Sequence, residues 1–82
     1  MADKLTEAHN RMAGDIVGQI VRGTIAAGGD DASIMVLLES ICLGVLLTNE
    51  KHFRLKRTTS AEYMESLTQA VLTRLAGMKH DG

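Results

Sequence analysis

Residues 34–47 read Ile-Met-Val-Leu-Leu-Glu-Ser-Ile-Cys-Leu-Gly-Val-Leu-Leu. The run is long enough for a helix, and apolar side chains occupy nearly every angle of its helical projection. A surface helix keeps one polar side, so one that is apolar all round has to be covered by a core, a partner or a lipid. A bilayer-spanning helix needs about 20 apolar residues, and runs of about 10–14 belong more often to buried helices. With Glu39 and Ser40 in the middle of the run, the expectation is burial in protein and no membrane.

Outward from this segment the pattern is helical on both sides. From about 4 to 27, Leu5, Met12, Ile16, Val17, Ile20 and Val21 recur at helical spacing. Lys4, Glu7, Arg11, Asp15, Gln19 and Arg22 occupy the other face. Gly28 and Gly29 supply the positive φ that ends helices, and Asp30 or Asp31 can cap the next one. A connection this short predicts an antiparallel hairpin of helices 1 and 2. Helix 2 is expected over about 31–49, followed by a basic connector at 50–58. Thr59 and Glu62 have the spacing of a capping box, which predicts helix 3 over about 60–76. Tyr63, Met64, Leu67, Ala70, Val71 and Leu75 share one arc, and Gly77 is the terminator. Residues 78–82 are expected to fray. Period-two patterning is scarce and hairpin turns are missing, so the fold class is all-α.

The 82 residues fit a single domain, 1–82, that would bury only about 60–65% of its unfolded surface. Such a chain needs reinforcement, and its one cysteine, Cys42, cannot supply a disulfide within one chain. The lone thiol fits a reducing compartment, and the polar opening MADKLTEAHNR has no apolar stretch of a secretory signal. The expected location is the cytoplasm. A net charge of −1 argues against a general polyanion binder, although residues 49–57 carry +3.

Helices 1 and 3 can cover two sides of helix 2. Val36, Leu43 and Leu47 then remain together on a third side, within about 40° of one another. Burying three aliphatic side chains is worth about 5–9 kcal/mol, doubled to about 9–18 kcal/mol in a two-fold pair. Association costs about 4–15 kcal/mol. A homodimeric helical bundle with Val36, Leu43 and Leu47 at its interface is therefore expected, two-fold symmetry being the commonest closed form.

Residues with chemical potential are scattered. His9 lies on the apolar arc of helix 1, but Leu5, Thr6, Met12 and Ala13 at helical neighbour positions supply no second ligand. Cys42 lies among aliphatic neighbours, where thiols act as small hydrophobes. Gly14 and Gly18 form a GxxxG pair on the polar side of helix 1, a spacing that permits close approach of a neighbouring helix. Glu62, Glu65, Asp30 and Asp31 suit helix N-termini electrostatically. No nucleophile-elbow, phosphate-loop, CxxC or HExxH pattern occurs. No catalytic residue, metal ligand or cofactor is therefore assigned.

The reading is a non-enzymatic protein-interaction or regulatory module that homodimerises through helix 2 and has room for a further protein partner. One alternative is binding of nucleic acid or another polyanion through Lys51, Arg54, Lys56 and Arg57, with Phe53 available for base stacking. The other is a small-ligand bundle that brings His9 and Tyr63 together.

Overall fold

Asp3 opens the first helix, its Oδ1 accepting from the Thr6 N–H at 2.6 Å. A side-chain acceptor at this position satisfies one of the donors that a helix start leaves free. The computed structural model describes residues 3–78, so residues 79–82 of the expected frayed tail lie outside the described residues. The fold is all-α: α1 covers Lys4–Ala26, α2 Asp31–Phe53 and α3 Arg57–Gly77, with no strand among the described residues.

The α1–α2 turn follows the expected chemistry. Gly28 has φ 89°, the left-handed region in which glycine is unstrained. The Gly29 N–H reaches back to the Thr24 carbonyl at 2.9 Å and the Gly28 N–H to the Ile25 carbonyl at 3.0 Å. Asp30 and Ser33 then cap α2 reciprocally: Asp30 Oδ1 accepts from the Ser33 N–H at 3.0 Å, and the Asp30 N–H donates to Ser33 Oγ at 3.3 Å.

The second connection differs from expectation. α2 continues through Lys51, His52 and Phe53, leaving only Arg54–Lys56 between the helices instead of a connector over 50–58. A cluster of positive charge does not interrupt a helix; at its C-terminal end it complements the dipole. The stop comes at Arg54, whose φ of 55° is left-handed, and the Leu55 N–H donates to the Glu50 carbonyl at 2.9 Å. This is the same closure as at Gly28, made with an arginine.

The Thr59–Glu62 capping box does not form. α3 begins at Arg57, with Lys56 as an N-cap that contributes no side-chain bond, and the Thr59 and Ser60 N–H groups donate to the Lys56 carbonyl. Thr59 is thus already inside the helix. Arg57, the first residue of α3, pairs with Glu50 of α2.

At 23 residues, with a mean hydropathy of 1.8 over its most apolar window, α2 is long and apolar enough to cross a membrane. The length argument made on residues 34–47 therefore does not hold for the helix as folded.

The chain divides into two compact units between Leu43 and Gly44, inside α2. The first contains α1 and the front of α2; the second contains the rear of α2, the Arg54–Lys56 turn and α3. Among the described residues, only Gly18 and Ser60 are buried, and no apolar side chain larger than a methyl group joins them. Ile20 and Ile34 in the first unit, and Leu46, Leu55 and Met64 in the second, are half-buried. Each unit has the beginnings of a core without its closure.

Candidate functional site

The chain presents two features that could act on another molecule: apolar faces and the basic α2–α3 corner. On α2, Val36, Leu43 and Leu47 are 60, 59 and 42% exposed. Met35, Leu37, Leu38 and Val45 on the other sides of α2 are exposed too, so its apolar surface is wider than the triad. Cys42 is half-buried, as a small hydrophobe would be.

The corner is organised by a residue that the charge pattern did not single out. Glu50 accepts two hydrogen bonds from Arg57, from Nε to Oε2 at 2.9 Å and from Nη2 to Oε1 at 3.3 Å. This two-point geometry suits the planar guanidinium. The bonds from Arg57 hold the Glu50 carboxyl below the usual glutamate value, with the nearby Ser60 hydroxyl and the guanidinium charge adding to the effect. The Arg57 guanidinium is in turn held more firmly in its charged form. Ser60 Oγ is buried without a hydrogen bond of acceptable geometry, so its influence on Glu50 is electrostatic proximity and not a formed bond.

Arg57 is thereby committed to an internal partner. Of the four cations proposed as an anion site, Lys51, Arg54 and Lys56 remain exposed and make no ion pair among the described residues. Phe53 is also exposed, and His52 packs edge-on against it with ring centroids 4.6 Å apart. An open groove along the rear of α2 runs past Gly44, Val45, Thr48 and Asn49 to these two rings. Its lining carries no fixed charge, and the three exposed cations lie outside it.

His9 is exposed on α1, and Tyr63 is about half exposed on α3. Neither lines the groove on α2 or the second open groove on α3, which runs from Ala61 to Gln69. No group of three or more His, Cys, Asp or Glu side chains that could hold a metal occurs among the described residues.

The two glycines of the GxxxG pair have different surroundings. Nothing approaches the position of a Cβ at Gly14, while the Arg22 guanidinium of the same helix lies back over Gly18. The nearest atoms to a Cβ at Gly18 would be those of the Arg22 guanidinium. Sequence reasoning missed Glu50 because its partner is seven residues away, across a helix boundary that had been placed before it. The available signal was an acid followed by a basic run over a turn-length gap. No protein-family model, curated protein or solved structure matches the chain.

Proposed function

We propose that this protein is a cytoplasmic, non-enzymatic interaction module that acts as a homodimer built on α2. The observation that carries this reading is the absence of any buried large apolar side chain among the described residues, with Val36, Leu43 and Leu47 uncovered along one side of α2. Water is a poor solvent for such a surface, and an apolar face of this kind marks an interaction site. Glu39, near the middle of α2, favours protein over lipid as the cover, because an ionisable side chain at bilayer depth is costly. The scattered polar groups and open grooves give no convergent constellation for chemistry.

Light scattering on a sizing column across a concentration series tests the proposal. A stable mass of twice the chain is the expected result. A single-chain mass at every concentration overturns it.

A further inference from the structure

The α2 triad is too small to hold two chains together alone. A buried aliphatic side chain removes about 60–120 Å² from water, so three remove at most about 360 Å² per chain and about 700 Å² for a pair. A specific interface buries about 1,200 Å² or more in total. Whatever covers Val36, Leu43 and Leu47 therefore has to cover more than these residues.

The remaining apolar surface has a definite place. On α1, exposure rises with distance from the Gly28–Gly29 turn: Ile20 is half-buried, Ile16 is 44% exposed, Met12 59% and Leu5 80%. On α3 it rises with distance from the Arg54 turn, from Ser60 at 4% to Leu67 at 47% and Leu75 at 61%, and Met78, in extended backbone just past the helix, is 70% exposed. Both series follow one helical face. Along these two faces the large side chains are covered nearer the turn and bare toward the free end, whereas on other faces Ile25 and Tyr63 are 60 and 51% exposed close to the turns.

The area available is sufficient for a dimer. The chain keeps 7365 Å² accessible. Two separate folded bodies of half its mass would keep about 5,800 Å² between them, so about 1,600 Å² is surplus even with each unit taken alone. If each chain gave up half of that surplus to its partner, about 1,600 Å² would be buried in total, the size of a standard specific interface.

We infer that a second copy of this chain covers the free-end faces of α1 and α3, at Leu5, Met12, Ile16, Leu67, Leu75 and Met78, as well as the α2 triad. The dimer is interlocked, with each copy completing the partial cores that the other leaves open. This rests on the homodimer reading and adds to it where the partner makes contact. A pair joined through α2 alone would leave the free ends in water.

The chain contains no tryptophan, so a single introduced indole reports one position without background. The variants Leu75→Trp and Met12→Trp, made separately in the full chain, are followed by emission wavelength and by light scattering over the same dilution series. The expected result is a blue shift at both positions that appears as the mass doubles. Emission that stays water-like while the mass doubles overturns the interlocked arrangement and leaves α2 dimerisation standing. A mass that never doubles overturns the homodimer reading itself, and with it this inference. If, in addition, the blue shift appears only with phospholipid vesicles, lipid is the cover. Leu75→Lys provides a second check, expected to weaken the dimer at least tenfold; an unchanged dissociation constant counts against the arrangement.

Discussion

Arg54 occupies a backbone conformation that costs an L-residue roughly 1–2 kcal/mol. Its φ of 55° is needed to end α2 and to let the Leu55 N–H reach the Glu50 carbonyl. Arg54→Gly removes that strain while keeping the closure, and chemical denaturation should show a gain of about 1 kcal/mol. No gain would mean that the arginine side chain contributes a compensating contact. Gly14 presents the opposite case, an open position inside a helix with nothing near a prospective Cβ. Gly14→Ala should stabilise the protein by up to about 1 kcal/mol through helix propensity and, on the homodimer proposal, leave the mass in solution unchanged. Loss of the dimer would instead make the GxxxG pair a contact between chains. The two sites show why glycine content alone predicts little: one left-handed turn uses Gly28 and the other an arginine, while Gly14 performs no conformational task.

At the scale of elements, the caps and the corner clasp share an acid sensitivity. The Asp3 carboxyl is held down chiefly by the Thr6 N–H, Asp30 by the Ser33 N–H and Glu50 by Arg57. A carboxyl whose value is lower in the folded chain stabilises above its unfolded value and loses that contribution as pH falls through the folded one. Thermal stability should therefore decline as pH drops below about 4, and Glu50→Gln should flatten part of that decline. Asp3 and Asp30 are exposed and Glu50 is half-buried beside an exposed guanidinium; only the Glu50–Arg57 contact joins two full charges, so raising the salt should weaken its share most. An identical pH profile in the glutamine variant would remove the clasp from the account. The same elements show what was legible beforehand. The three helices, the Gly28–Gly29 stop and the Asp30 cap were readable because each rests on chemistry within a few residues. The end of α2 was not, because Lys51, His52 and Arg54 fit a helix terminus as well as a loop. The start of α3 lies earlier than the Thr59–Glu62 spacing indicates, because the Thr59 and Ser60 N–H groups are already bonded to the Lys56 carbonyl. The exposure of Met12, Ile16, Leu67 and Leu75 was not legible, because their helical spacing is that of an ordinary core face.

For the whole molecule, the question is where the missing core comes from. A chain that completes its core only by pairing gains stability with concentration, because mass action favours the folded assembly over unfolded chains. Its melting temperature should rise over a hundredfold increase in protein, whereas that of a self-sufficient monomer would stay fixed. Leu43→Lys examines the same coupling at the centre of α2. In a two-fold dimer the substitution acts twice, and with 59% of Leu43 left for a partner to cover the loss is about 0.9–1.8 kcal/mol per side chain and about 2–4 kcal/mol in all, or a dissociation constant weakened at least tenfold. Because Leu43 is already 59% exposed within one chain, little is lost inside the monomer itself. On the homodimer proposal, the variant should therefore melt lower only at concentrations where the parent is paired, and show a single-chain mass there. A Leu43→Lys protein with unchanged mass and melting curve would place the covering surface elsewhere on α2, with Met35 and Val45 the next exposed positions to substitute.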